Sequence, residues 1–231
     1  MINEHIRDNE DEANMSEFDH HAAILVFDDA DLIDIAGPRE VLSGVTKPAP
    51  SNNQTDEILA MYSAIPRIKI DYIAISSQNV GYITTADGTS INYDHPVSEF
   101  DLDQYDIIVL PGGKGIHYIK HKKELHEILK TIKNQQIHLI SVCTGAYGIA
   151  ESGILTGQKI TTHHRHYDIF EKLYPEHHLI REVRFVEVNE IIVGGGVTSG
   201  FDATLRLIEK LYSKDEAIRV ANRINYQHHP N

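Results

Sequence analysis

One stretch of the sequence decides the fold: Gln136-Ile-His-Leu-Ile-Ser-Val-Cys143-Thr-Gly-Ala-Tyr-Gly-Ile-Ala150. An apolar run ends at Cys143, the only cysteine of the chain, and small residues then lead into a segment of helical character. This order predicts a strand, a sharp turn and a helix, the geometry that presents a nucleophile at a strand end. The alternative is that Cys143 is a small apolar residue buried at the end of a core strand.

Upstream of this stretch, apolar runs alternate with segments of helical spacing. Buried strands are predicted at residues 22–27, 69–76 and 106–110, and a hairpin is predicted within residues 82–93. Pro38 is expected to open a helix at its first turn. The alternation predicts an α/β fold with a mainly parallel sheet and helices on both faces.

The rest of the chain predicts one domain, with an N-terminal tail and one insertion. Downstream we expect a short strand at residues 158–163, two β-prone runs hinged at Asn189, and helices at 201–211 and 216–224. We therefore predict a single α/β domain over residues 21–231. Residues 1–20 hold seven acids and one arginine and predict a disordered acidic tail. Residues 47–66 read as an insertion, which either covers the site or only decorates a dimer.

Composition narrows the class of protein. Lys and Arg total 21 against 34 Asp and Glu, and the net charge of -13 argues against nucleic acid and anionic membranes as partners. No apolar run approaches the roughly 18 residues that a bilayer span needs, and the N-terminus lacks a signal-peptide core. A single cysteine forms no intramolecular disulfide. We expect a soluble cytoplasmic protein.

Polar or reactive residues follow several of the predicted strands. Asp34 follows the first strand, Gly112 and Gly113 follow the third, and Cys143 follows the fourth. The carboxyl ends of parallel strands meet in one crevice, so we expect these residues to lie together. A helix N-terminus is expected to lower the pKa of the cysteine, and the acid is expected to move protons. Alternatively, Asp34 is only a helix cap and the glycines only a turn.

Two further patterns point less strongly to a functional site. His117 and His121 are four residues apart and His163, His164 and His166 are clustered, but no cysteine or carboxylate accompanies them at a recognisable ligand spacing. We therefore expect no metal. Asp202 is expected to cap the helix that begins near it, with lining of the pocket or of a dimer seam as the alternative.

Five motifs in order resemble the PfpI/ThiJ superfamily of class I glutamine amidotransferase-like proteins, and within it the isonitrile hydratase branch. They are residues 31–41, 106–113, 141–146, 161–163 and 194–202. The resemblance covers the chain from about residue 22 onwards. It implies a flavodoxin-like α/β sandwich, a homodimer, a small electrophilic substrate and no cofactor.

The resemblance also assigns roles to residues. Cys143 matches the nucleophile of the family, and Asp34 matches the acid that contacts it. Gly113 and the turn at Thr144 match the backbone amides around the sulfur. Gly112 and His163 fall on the substrate side.

Two departures from relatives affect this carry-over. The PfpI type has histidine directly after the cysteine, where this chain has Thr144, which argues against a Cys–His peptidase mechanism. Relatives in this branch follow the histidine at position 163 with tryptophan, where this chain has His164, so we expect a different substrate pocket.

The implied reaction is hydration of an isonitrile. The Cys143 thiolate adds to the terminal carbon while Asp34 protonates it, and water releases an N-substituted formamide from the thioimidate. One alternative is a glyoxalase or deglycase acting on 2-oxoaldehydes. Another is a non-catalytic sensing domain related to AraC-type regulators, although we expect no room after Ile224 for a DNA-binding helix pair and see no basic patch.

Overall fold

A computed structural model describes residues 18–47, 64–135 and 137–228. Most of the predicted tail and of the 47–66 insertion lies outside the described residues. The tail was predicted too long, because His20 already begins the first strand.

The elements follow the predicted alternation of strand and helix. The strands are β1 (His20–Phe27), β2 (Thr46–Lys47), β3 (Ile65–Pro66), β4 (Ile68–Ser76), β5 (Tyr82–Thr84), β6 (Ser90–Asn92), β7 (His95–Pro96), β8 (Ile107–Leu110), β9 (His138–Val142), β10 (Lys159–Ile160), β11 (His178–Leu179), β12 (Phe185–Val188) and β13 (Ile191–Gly194). The helices are α1 (Leu32–Ser43), α2 (Ile116–Ile119), α3 (Lys123–Asn134), α4 (Ala146–Ser152), α5 (Tyr167–Leu173), α6 (Ser199–Leu211) and α7 (Lys214–Arg223).

A seven-stranded sheet forms the centre, in the order β12-β13-β9-β8-β1-β4-β7. Its strand pairs are parallel except for the antiparallel β12–β13 hairpin, whose turn holds Asn189 at φ 54°. Strands β1, β8 and β9 are apolar along most of their length and buried, as strands covered on both faces must be. The predicted flavodoxin-like sandwich is confirmed.

Helices pack around this sheet in two groups. In one group α1 packs on α6, and α6 packs on α7 and on β9 and β13. In the other group α3 packs on α4, burying the apolar face that its helical spacing predicts. Since β9, β8 and β1 are neighbours, the loops that follow them meet at one edge of the sheet. That edge is where the predicted site residues lie.

One predicted helix starts elsewhere, and one predicted strand is shorter than expected. Helix α1 begins at Leu32 because Asp31 caps it by accepting from the Ile33 amide at 3.1 Å, so Pro38 lies inside the helix and not at its first turn. A proline there leaves the Asp34 carbonyl without its usual helical donor. The predicted strand at 158–163 is confirmed as β10, but it pairs with β11 and not with the central sheet.

Membrane insertion has no support in the helices. Within the described ranges, every helix is too short or too polar to cross a bilayer.

Candidate active site

Cys143 occupies a strained turn between β9 and α4. Its φ is +58°, in the left-handed region that residues with a side chain rarely adopt, and residues 143–145 form a single 3₁₀ turn before the helix. A Cβ on Gly145 would lie 2.6 Å from the Leu110 carbonyl oxygen, so only glycine lets this turn pack against β8. The predicted strand, turn and helix are confirmed. Strain of this kind is concentrated at functional sites.

The loop after β1 is tied to the loop after β8. Ala30 forms an isolated antiparallel bridge with Gly113, and the Asp31 amide donates to the Gly112 carbonyl at 2.9 Å. Gly113 has φ +113°, and a Cβ there would collide with the Asp31 backbone. These contacts fix the start of α1 against the β8 loop. They thereby set the position of Asp34, one turn further along.

Asp34 is a fully buried carboxyl group. Its Oδ2 accepts from the Gly112 amide at 3.0 Å, whereas Oδ1 has no hydrogen-bond partner among the described residues. Burial raises the pKa of Asp34 to about 8, and the negative charge of Asp31 adds to this, while hydrogen bonds from the Gly112 amide and the Cys143 thiol oppose it. The group is therefore protonated at neutral pH. Because Oδ2 accepts the amide hydrogen, we assign the proton to Oδ1.

Cys143 is likewise a neutral group in the resting site. Burial raises the pKa of its thiol, the charge of Asp34 raises it further, and hydrogen bonds from Thr144 oppose the shift. The expected lowering of the thiol pKa is wrong in direction. The helix that follows is only 7 residues long, and its dipole does not outweigh the removal of the sulfur from water. The site thus holds a thiol and a carboxylic acid in contact.

Gly112 brings the other site atoms together. A Cβ at this position would lie 2.6 Å from both the backbone nitrogen and Oγ1 of Thr144, and 2.9 Å from Oδ2 of Asp34. The Gly113 amide, expected near the sulfur, instead donates to Thr144 Oγ1 at 2.9 Å. The Gly112 amide donates to Asp34, and the backbone amide that donates to the Cys143 thiol is that of Thr144.

His163 lies near the site, but its neighbour Thr162 is the residue that contacts Cys143. Its Nδ1 accepts from the Arg165 amide at 3.3 Å, and its ring centroid is 4.3 Å from that of His164. Burial and neighbouring positive charge lower the pKa of His163. Its predecessor Thr162 contacts the backbone of Cys143, because its hydroxyl donates to the Cys143 carbonyl at 3.0 Å.

Sequence reasoning thus missed two residues, Asp31 and Thr162. Thr162 stands in the quoted motif 161–163, and Asp31 carries a side chain suited to capping, so each had a signal that was not used.

The histidines considered for metal binding have other neighbours. The His117 ring packs on Tyr147 at 4.9 Å, and His121 pairs with Glu151 at 2.9 Å. In the part of the chain that the structure describes, no three or more His, Cys, Asp or Glu side chains are grouped to hold a metal ion.

Asp202 does not cap α6, contrary to expectation. It lies inside the first turn, fully buried, where its Oδ2 accepts from Arg184 Nε at 2.7 Å and from the Tyr226 hydroxyl at 2.8 Å. The residue is therefore part of a buried ionic network that fastens the C-terminal segment.

Comparisons with known proteins agree with this fold. A model of the DJ-1/PfpI family matches residues 20–210. Isonitrile hydratase of Pseudomonas putida is 24% identical over 203 residues, which cover 87% of this chain and 76% of that protein. A deglycase of Pyrococcus abyssi is 28% identical over 91 residues, which cover 39% of this chain and 55% of that protein. DJ-1 of Schizosaccharomyces pombe has the same fold, with a TM-score of 0.73 at 18% identity, covering 90% of this chain and 100% of that one.

Proposed function

The chain belongs to the DJ-1/PfpI family, and we propose that it is a cysteine-dependent hydratase that converts an isonitrile to an N-substituted formamide. One observation carries the proposal: Asp34 is buried beside Cys143 with its pKa raised to about 8. Hydration of an isonitrile requires a proton at the terminal carbon, and a carboxyl group that stays protonated at neutral pH can supply it. Similarity to isonitrile hydratase over 87% of this chain supports the same reaction.

In the first step, the Cys143 sulfur bonds to the terminal isonitrile carbon while Asp34 Oδ1 gives that carbon its proton. The thiol proton passes to the Asp34 carboxylate as the S–C bond forms, so the acid is protonated again. The product is a thioimidate, S–CH=N–R, which contains every atom of the thiol and of the isonitrile. The Thr144 amide stabilises the negative charge that builds on the sulfur during this transfer.

In the second step, water adds to the thioimidate carbon. Its oxygen and one hydrogen form a hydroxyl group there, and Asp34 carries the other proton to the nitrogen. The C–S bond then breaks, the hydroxyl becomes the formyl carbonyl, and its proton returns to the sulfur of Cys143. The formamide R–NH–CHO leaves, and the thiol and the acid are both restored. The Asp34 carboxyl, the Cys143 thiol and the added water together account for every proton that moves.

Turnover by the purified protein tests this proposal. The wild type, Cys143→Ala and Asp34→Asn would each be incubated with cyclohexyl isocyanide and with an aryl isocyanide, and formamide would be quantified by mass spectrometry. We expect formamide from the wild type only. No formamide from the wild type, or an equal yield from Cys143→Ala, rejects the proposal.

A second candidate is a deglycase or glyoxalase acting on 2-oxoaldehydes. The match to the deglycase of Pyrococcus abyssi favours it, and a thiol could add to an aldehyde carbon in the same place. Consumption of methylglyoxal by the wild type, lost in Cys143→Ala and without any turnover of isonitriles, would select this reaction instead.

We also propose that the protein is a cytoplasmic homodimer. The family resemblance supports the dimer, and a single free cysteine suits a reducing compartment. Sedimentation equilibrium tests the dimer directly: a mass near 26.1 kDa would show a monomer, and twice that mass the dimer.

A further inference from the structure

Thr162 makes a buried contact with the nucleophile that the reaction above does not use. Its hydroxyl donates to the Cys143 carbonyl oxygen at 3.0 Å, across 19 residues of chain, and both residues are buried. Most serine and threonine hydroxyls bond to water or to groups at the surface. The Thr162 hydroxyl instead donates to a backbone oxygen inside the protein. The contact therefore has a specific mechanical effect on the turn.

The carbonyl of Cys143 and the amide of Thr144 belong to one peptide unit. A peptide unit is planar, so holding its oxygen fixes the direction of its N–H as well. The N–H end lies at the centre of the site, since a Cβ on Gly112 would be 2.6 Å from this nitrogen and 2.9 Å from Asp34 Oδ2. A hydrogen bond accepted by the carbonyl also polarises the N–H and strengthens it as a donor.

The turn needs such a restraint because Cys143 is strained. The φ of Cys143 is +58°, so relaxation toward negative φ would lower the energy of the residue. That relaxation would rotate the peptide unit that follows. Thr162 itself is held firmly, since it follows β10, which is paired with β11, and its carbonyl lies beside Gly195. The restraint thus comes from a separate part of the fold.

We propose that Thr162 is a positioning residue for Cys143: its hydroxyl holds the Cys143–Thr144 peptide so that the Thr144 N–H stays beside the sulfur. The inference rests on Cys143 being the nucleophile, as proposed above, but not on the identity of the substrate. The contact that Thr162 makes is with the backbone carbonyl of Cys143. Thr162 thus acts on the thiol through the Cys143–Thr144 peptide unit.

The chain supplies a matched control in the neighbouring residue. Thr161 is also fully buried, but its hydroxyl has no hydrogen-bond partner among the described residues. Thr161→Val and Thr162→Val make the same chemical change one residue apart. Thr162→Ser restores the hydroxyl and serves as the conservative rescue.

The experiment measures two properties of the wild type and these three variants, with circular dichroism as the check of folding. The first is kcat and KM for cyclohexyl isocyanide. The second is the pH profile of alkylation by iodoacetamide, which reports on Cys143 alone because the chain has one cysteine. The second needs no substrate, so it decides the inference even if isonitrile hydration is not the reaction.

We expect Thr162→Val to lower kcat by roughly 10- to 100-fold with KM nearly unchanged, the effect of weakening one aligned backbone donor. Its alkylation profile should move to higher pH, because the thiolate loses the Thr144 amide. Thr162→Ser and Thr161→Val should match the wild type in both properties. If Thr162→Val does not fold, Thr162→Ala takes its place. The inference is overturned if Thr162→Val behaves like Thr161→Val, or if Thr162→Ser is as impaired as Thr162→Val.

Discussion

The carboxyl of Asp34 and the amide of Gly112 are 3.0 Å apart inside the protein, and this hydrogen bond places a buried acid beside the only cysteine of the chain. Helix α1, which follows β1, supplies the acid, and the loop after the neighbouring strand β8 supplies the amide. Because the acid is removed from water, its proton is retained where a solvated aspartate would have lost it. Both the stability and the activity of the protein should therefore depend on whether Asp34 carries this proton.

Asp34→Asn should make the protein more stable at neutral pH. The folded pKa of about 8 lies above the ordinary 3.8, so between these values the unfolded chain releases a proton that the folded chain keeps. Stability therefore falls as pH rises across that window, and the wild type loses roughly 1–4 kcal/mol by pH 7. Asparagine does not titrate and avoids this loss. Urea unfolding at pH 4 and pH 7 should show a gain at pH 7 that vanishes near pH 4.

The exposed Asp215 provides the control for that comparison. Asp215→Asn should change stability by less than about 0.5 kcal/mol at either pH. A gain of equal size at pH 4 and pH 7 in Asp34→Asn would mean that the buried carboxyl is not protonated in the folded protein.

Activity should fall above pH 8. The proposed first step uses the proton on Asp34, and each pH unit above its pKa of about 8 leaves roughly tenfold less of the acid form. The thiol stays protonated over the same range because burial raises its pKa, so it adds no rising limb. Measurement of kcat/KM from pH 6 to 10 should give a plateau followed by a decline. A rise between pH 7 and 9 would instead show a reaction limited by thiolate.

Gly112→Ala should disable the site. The added methyl group would lie 2.6 Å from the Thr144 nitrogen and 2.9 Å from Asp34 Oδ2, so the turn or the acid must move. We expect at least a 100-fold loss of kcat/KM and a loss of stability of about 1–3 kcal/mol, as overpacked sites show. Gly196→Ala is the matched control, since its methyl group would meet nothing closer than 3.8 Å. Equal activity in the two variants would refute the close approach.

Asp202→Ala should destabilise the fold far more than the loss of a surface carboxylate. Asp202 is fully buried and accepts from Arg184 and Tyr226, whereas Arg184 is about one-third exposed, so removal of the carboxylate leaves donors only partly solvated and should cost about 2–3 kcal/mol. Glu40 pairs with Arg223 at 2.9 Å with both side chains about half exposed, and Glu40→Ala should cost less than about 1 kcal/mol. Thermal and urea unfolding of both variants measures the difference. Similar losses in the two would contradict the buried network.

Much of the fold was predictable because its signals are local. The apolar runs of β1, β8 and β9 mark strands covered on both faces, and parallel topology then brings their ends together. Asp34 and Cys143 could therefore be paired from sequence. The start of α1 was misplaced because the prediction gave the proline more weight than the Asp31 cap seven residues earlier.

The electrostatics of the site could not be predicted in the same way. The pKa of Cys143 depends on how much water the fold removes and on how close Asp34 lies, and both are tertiary properties. Thr162 was inside a quoted motif, but its contact with Cys143 joins segments 19 residues apart through a strand pair outside the central sheet. No periodicity or spacing contains that information.

The most direct test of the account is the mass of the protein during turnover. Wild type and Cys143→Ala would be mixed with an isonitrile, quenched with acid within seconds, and measured intact, with peptide mapping of any adduct. The account predicts a wild-type species heavier by the mass of the isonitrile, with the adduct on Cys143, and no such species in Cys143→Ala. Formamide produced at the same rate by Cys143→Ala, without an adduct on either protein, would contradict it.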